Sequence, residues 1–362
     1  MPPANSRLLP PPARLDARRI ALLKPSALGD IVHSLPVLTA LRRRFPHARI
    51  HWVVNLAYAD LLRGHPDLDD VLTFDRSGRR GGLLGAARSF VELTVQLRRL
   101  RPDLVVDLQG LFRTGLLAFL SGASRRVGLG AAREGAARFY TDVVRAPAGA
   151  ALHAVDRLWL IAEAFGAADD PKVFRIPIDA EARRWAAEQL AGLPRPWLAV
   201  AVGARWATKR WPPEHFASLL RRAQQRFGGA ALFVGGAGDT PLSATAAAGL
   251  AGPTCNLAGR TTLPQLAAVL EAADAVVAND TGPLHLAAAL GRPVVAPYTC
   301  TSVRLTGPYG AATGAVESRV WCQGSRRRRC GRMECMAELT PDRLWPGLEE
   351  VLQTWQIRRR AA

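Results

Sequence analysis

At 362 residues, with 49% hydrophobic and 22% charged side chains, the chain suits a soluble globular protein of two domains rather than a single core. Forty-eight Lys and Arg against thirty Asp and Glu give a net charge of +18, which favours phosphates, anionic lipid headgroups or nucleic acid as partners. No apolar run approaches the roughly 20 residues needed to cross a bilayer, and five cysteines, an odd number without a secretion signal, argue against a disulfide framework.

Residues 1–18 are rich in Pro and Arg and lack an apolar segment, so they read as a disordered arm on a cytosolic protein. Arg19 to Leu23 is a first buried strand, Lys24 to Asp30 a loop, and Ile31 to Phe45 a helix stopped by Pro46. Strands follow at Ile50 to Val54 and Val71 to Phe74, then a basic loop at Arg76 to Gly82 and a long helix from about Leu83 to Leu100. The strand Leu104 to Asp107 opens through Leu108-Gln109-Gly110 onto a helix beginning near Arg113. Five arginines lie between Arg125 and Arg145, His153 to Phe165 is helical, Val173 to Ile178 extended and Ala180 to Leu190 helical. Gly192 to Pro196 reads as a linker. Beyond it the alternation resumes: strands at Leu198 to Val202, Ala230 to Val234 and Ala275 to Ala278, and helices at Glu214 to Phe227, from about Leu242 and at Leu263 to Ala272. Pro283 to Leu290, closed by Gly291, is another helix, Val294 to Ala296 a strand and Pro341 to Gln356 a terminal helix. The expected organisation is the arm at 1–18, domains over 19–192 and 193–345, and a C-terminal helix and basic tail over 346–362. Strands and helices alternating in this way predict an α/β protein with two doubly wound parallel sheets and a cleft between their carboxyl ends.

Ligands of such sheets bind where strands end and helices begin. Asp280-Thr281-Gly282 occupies that place, and the helix N-terminus after it suits a phosphate or pyrophosphate, although Asp280 or Thr281 as a simple cap is an equal reading. Lys209, just before a helix, would neutralise a diphosphate leaving group, or else pack on Trp211. Asp239 follows a Gly-rich turn where an acidic residue receives ribose hydroxyls, or merely closes the turn. Asp30 is a general base if an acceptor hydroxyl docks on it, and an N-cap otherwise. His33 and His285 are secondary candidates. Cys322, Cys330 and Cys335 lack a C-x-x-C pair and read as structural or incidental thiols, with metal binding as the alternative; no metal and no cofactor are expected.

The stretches KPSALGDIVHSLPVLTALRRRFP, HWVVN, DLVVDLQGLFRTGLL, GARWATKRWPPEHF, NDTGPLHLAAALGRPVVAPY and CMAELTPDRL together resemble glycosyltransferase family 9, the lipopolysaccharide heptosyltransferases, from about Ile20 to Leu344. Two of them, LGDIVHSLP and DLQGLFRTG, look more like the first heptosyltransferase than the second. The resemblance implies a GT-B fold of two Rossmann-like domains and inverting transfer of L-glycero-D-manno-heptose from ADP-heptose to an inner-core Kdo sugar of lipopolysaccharide, without an obligatory metal. It implies Asp30 as base, Lys209, Asp280, Thr281, Gly282 and His285 at the donor, with Asp239 as the nearest match to an adenosine-side acid. Arg113, Arg125, Arg126 and Arg133 fall in the region that meets the acidic, lipid-linked acceptor, and a cytoplasmic protein peripheral to the inner membrane is expected, with no nucleic acid partner. A GT-B nucleotide-sugar epimerase, a family member using another nucleotide sugar and a basic nucleic-acid-binding protein are the alternatives.

Overall fold

The computed structural model describes residues 12–75 and 82–361; the first eleven residues of the expected arm and the basic segment at 76–81 lie outside the described residues. The chain divides into two units, Met1–Pro177 and Ile178–Ala362.

The first unit runs β1 (Arg19–Leu23), α1 (Leu28–Val32), α2 (Leu35–Arg44), β2 (Arg49–Asn55), β3 (Asp70–Phe74), α3 (Gly82–Arg99), β4 (Leu104–Asp107), α4 (Phe112–Leu120), β5 (Arg125–Leu129), β6 (Asp142–Val144) and α5 (Ala154–Ala164). Its strands form a six-stranded sheet in the order β3-β2-β1-β4-β5-β6, and every pairing is parallel. Ile20 to Leu23 and Leu104 to Val106 are wholly buried, as expected of strands covered on both faces. Leu93 and Leu97 of α3 pack with Leu23, Val53, Val105 and Leu117 in the core.

The second unit runs α6 (Ala180–Leu190), β7 (Trp197–Ala201), α7 (Pro213–Phe227), β8 (Ala230–Phe233), α8 (Thr240–Ala248), β9 (Thr254–Asn256), α9 (Leu263–Ala272), β10 (Ala275–Ala278), α10 (Gly282–Ala289), β11 (Val294–Tyr298), α11 (Val303–Thr306), β12 (Ala315–Glu317), α12 (Glu334–Glu338) and α13 (Pro341–Ala361). Its order, β12-β11-β10-β7-β8-β9, repeats that of the first sheet when counted from its own first strand, again all parallel. Each unit is thus a doubly wound Rossmann-type sheet. Val200, Phe233 and Val277 meet Trp211, Phe216 and Leu220 in the core, joined by Trp345 and Leu348 of α13.

Departures from the sequence reading have local causes. The helix expected over Ile31 to Phe45 is two helices: the Ser34 hydroxyl donates to the Asp30 carbonyl at 2.7 Å, and Pro36, in the first turn of α2, has no N–H to continue the earlier ladder. The strands β5, β6, β9 and β12, hidden by Arg, Asp, Thr or Glu in short runs, were not anticipated. The linker expected at Gly192 to Pro196 lies inside the second unit, because α6 packs on α9 and Arg183 forms a two-pronged pair with Glu271 at 2.8 and 3.0 Å. The terminal helix starts at Pro341, so it spans the expected boundary at 345 and packs on α7.

Leu220 is fully buried in the second core. Leu220→Ala is expected to cost about 3 kcal/mol, read as a lowered urea midpoint at unchanged secondary-structure content.

Candidate functional site

The strand order of each sheet reverses beside its first strand, so the loops after the first and fourth strands flank a crevice. In the second unit these are the loops after β7 and β10, and Asn279 stitches them together. It is fully buried, its Oδ1 accepts from the Trp211 amide at 3.1 Å, and its Nδ2 donates to the Val202 carbonyl at 2.7 Å. The Trp211 indole donates to the Leu339 carbonyl at 2.6 Å, so Trp211 is a core anchor and Lys209, two residues earlier, stays outside the core.

Lys209 turns instead to Asp280. Its ammonium donates to Asp280 Oδ2 at 2.5 Å and to the Asp280 carbonyl at 3.3 Å. The same carboxylate accepts from Thr301 Oγ1 at 2.6 Å, meets His285 Nε2 at 3.1 Å and accepts from the Tyr298 hydroxyl at 3.4 Å. Asp280 is 5% exposed. Burial alone would push its carboxyl up, but the hydrogen bond and charge of His285 and the Lys209 ammonium hold it well below the usual carboxylate range. Burial and the facing Asp280 charge push the Tyr298 hydroxyl the other way, well above its ordinary value. Asp280 therefore orients Lys209 and His285, its own oxygens already being engaged. Directly after it, Thr281 precedes the first turn of α10 without capping it, and its hydroxyl is buried with no partner among the described residues. The first amides of a helix have no partner within the helix, and Gly282 at the first position of this one adds no side chain in front of them, an arrangement chemically suited to an anion.

Asp239 lies on the neighbouring loop, after β8. Its Oδ2 accepts from the Gly236 amide at 2.9 Å, closing the Gly-rich turn. A Cβ at Gly203 would stand 2.0 Å from its Oδ1, so the loop after β7 passes against this carboxylate.

In the first unit, Asp30 is exposed in the first turn of α1, and its Oδ2 accepts from the Ala27 amide at 3.2 Å. Beneath it are groups the sequence reading missed. Lys24, 6% exposed, donates to the Leu108 carbonyl at 3.1 Å, and burial lowers its pKa despite the nearby Asp30 and Asp107 charges. Asp107 accepts from the Gln109 and Gly110 amides at 2.9 and 3.0 Å and from the Tyr140 hydroxyl at 2.7 Å, while burial pushes its carboxyl up. Tyr140 in turn fills the space that a Cβ at Gly128 would need, 2.3 Å from its ring. A lysine closing a buried strand and an aspartate closing another were the available signals. His33 is buried, with its ring edge-on to His153 at 5.6 Å.

The four expected acceptor arginines separate. Arg113, at the start of α4, and Arg133, in the turn after β5, are exposed at the carboxyl end of the sheet. Arg125 and Arg126 begin β5, at the opposite end of the sheet. Arg125 is 2% exposed and forms a two-pronged pair with Asp142 at 2.9 and 2.5 Å. Arg126 donates to the Phe139 and Ala123 carbonyls at 2.8 and 2.6 Å. Both are structural residues and leave the acceptor set. The five cysteines are free thiols, and burial with neighbouring thiols pushes Cys335 up to about 11.

Residues 90–336 match the family model described as glycosyltransferase family 9 (heptosyltransferase). The chain is 32% identical over 320 residues to lipopolysaccharide heptosyltransferase 1 of Pseudomonas aeruginosa, covering 86% of this chain and 87% of the relative. It is 28% identical to lipopolysaccharide heptosyltransferase 2 of Escherichia coli, with 92% and 98% covered. Among solved structures, a family 9 glycosyltransferase from Veillonella parvula superposes with TM-score 0.81 at 24% identity, covering 94% of this chain and 99% of that one. An Escherichia coli heptosyltransferase with ADP superposes with TM-score 0.70 at 25% identity, covering 92% and 99%.

The folded pKa of Asp280 lies below its ordinary 3.8, so its charge contributes stability fully above that pH and loses it as the pH falls further. Asp280→Asn is expected to lower stability at pH 7 by about 3 kcal/mol, since Lys209 loses its buried partner, and to flatten the acid side of the curve. Urea midpoints taken from pH 7 down to 3 check both.

Proposed function

The chain belongs to glycosyltransferase family 9 and is a glycosyltransferase of the GT-B fold; from that premise we propose that it moves L-glycero-D-manno-heptose from ADP-heptose to the inner-core Kdo of lipopolysaccharide, with inversion. The observation that carries this reading is the Lys209–Asp280–His285 network set at the start of α10. A fixed ammonium beside a helix N-terminus stabilises the charge that develops on a departing diphosphate. The Escherichia coli relative with ADP supports an ADP-sugar as donor. Thr281 and Gly282 supply the close approach, and Asp239, at the next loop, is the candidate for the ribose side.

Asp30 is the general base. It takes the proton from the acceptor hydroxyl as that oxygen attacks the anomeric carbon from the face opposite ADP, so a single in-line displacement inverts the centre. Arg113 and Arg133 favour an acidic acceptor, because guanidinium groups pair with phosphate and carboxylate in two-pronged geometry.

The acceptor reading carries with it a cytoplasmic protein held peripherally at the inner membrane. Among the described residues no helix is long and apolar enough to cross a membrane. The outward face of α3 supports interfacial contact: Leu84, Val91 and Val95 are 85%, 59% and 42% exposed, and at 3.6 residues per turn they share one face, opposite the buried Leu93 and Leu97. Arg98 and Arg99 flank that stripe, and Glu92 at its rim is taken up by Arg88 at 2.7 Å. An apolar stripe with cationic edges suits an anionic bilayer surface. Two copies of the face would set arginine against arginine.

Asp30→Asn is expected to abolish heptosyl transfer while the thermal shift given by ADP persists. Loss of both would sink the assignment of the base. Replacing Leu84, Val91 and Val95 together by Gln is expected to weaken binding to phosphatidylglycerol vesicles about tenfold at an unchanged melting temperature. Vesicle binding equal to that of the unaltered chain would remove α3 from the membrane contact.

A further inference from the structure

Lys209, the cation placed at the donor diphosphate, is paired with Asp280 at 2.5 Å, and that pair is neutral as a whole. A diphosphate ester is a dianion, so one compensated lysine and a helix terminus leave most of its charge unmatched. A second cation stands at the same turn. The Trp206 ring carries the Lys209 ammonium 5.0 Å from its centroid and the Arg328 guanidinium 4.9 Å from it. Trp206 is half-buried, and Arg328 is exposed toward solvent.

The backbone around Arg328 is tied to this turn. Thr208, next to Lys209, donates its hydroxyl to the Arg327 carbonyl at 2.6 Å, and the Arg326 amide donates to the Cys300 carbonyl at 2.7 Å. Cys300 in turn donates its thiol to Thr208 Oγ1 at 3.5 Å. Arg327 points elsewhere, its guanidinium 5.2 Å from the exposed Trp321 ring. Of the run Arg326 to Arg329, the geometry singles out Arg328.

We propose that Arg328, splinted on Trp206, is the second cation of the diphosphate subsite, placed to bind the donor's phosphates together with Lys209. A guanidinium held over an aromatic ring still offers N–H groups to phosphate oxygens and loses little side-chain freedom on binding. Trp206 is then a positioning residue, holding Lys209 and Arg328 at a fixed spacing. This rests on the reading of the second unit as the ADP-sugar site.

The test is thermal stabilisation and titration calorimetry of the full chain with ADP, inorganic pyrophosphate and adenosine as probes. Arg328→Gln is expected to weaken ADP and pyrophosphate about tenfold, as for one lost charge-assisted hydrogen bond, with adenosine binding and melting temperature unchanged. Arg328→Lys recovers part of the loss, and high salt narrows the gap between variant and unaltered chain. Unchanged ADP binding in Arg328→Gln overturns the proposal, as does an equal loss of adenosine and ADP, which marks a merely structural role. Should the unaltered chain ignore ADP but bind pyrophosphate, the donor reading fails while the pyrophosphate ratio still judges Arg328; no binding of either overturns both.

Discussion

The site depends on one buried carboxylate. Asp280 sits at the end of β10 with almost no exposure, and a lone charge there would be expelled or protonated. Four neighbours from three segments prevent this: Lys209 from the loop after β7, His285 from α10, and Tyr298 and Thr301 from the end of β11 and just beyond it. The charge fixes the place of each of these groups. It also draws Lys209 inward, whereas Arg205 and Arg210 on the same loop lie at the surface.

The two units repeat a strand order and, at its reversal, a pair of residue types. In the first, Lys24 follows β1 and Asp107 closes β4; in the second, Lys209 follows β7 and Asp280 follows β10. Burial divides their roles. Asp107 is satisfied by the Gln109 and Gly110 amides and by Tyr140, and Lys24 by the Leu108 carbonyl, so the pair shapes the loop beneath Asp30. Lys209 and Asp280 meet directly, beside the first turn of α10. The same topological position thus serves as a scaffold in one unit and as a charge site in the other.

Much of this was legible because parallel strands covered on both faces read as unbroken apolar runs, as at Ile20 to Leu23 and Ala275 to Ala278. The short strands β5 and β9 were not, since β5 carries Arg125 and Arg126 and β9 is Thr-Cys-Asn, where pairing rather than hydrophobicity makes the strand. The loops at Asp30, Lys209 and Asp280 stood out through Gly and Pro beside a charged residue. Arg125 misled because sequence places an arginine near a loop without saying at which end of its strand it lies; only the pair with Asp142 reveals its end of the sheet. Arg328 was invisible for a related reason. A run of arginines looks like a solvated patch until the ring each one rests on is known.

The fit of Tyr140 against Gly128 has an evolutionary consequence. The ring occupies the volume of any side chain at 128, and its hydroxyl is one of the donors that hold Asp107. A bulkier residue at 128 must therefore arrive together with a smaller one at 140, and that exchange removes a hydrogen bond from the loop beneath Asp30. Variation in the middle of β5 is thereby linked to the chemistry of a loop two strands away, and homologous sequences should drift at 107, 128 and 140 in concert.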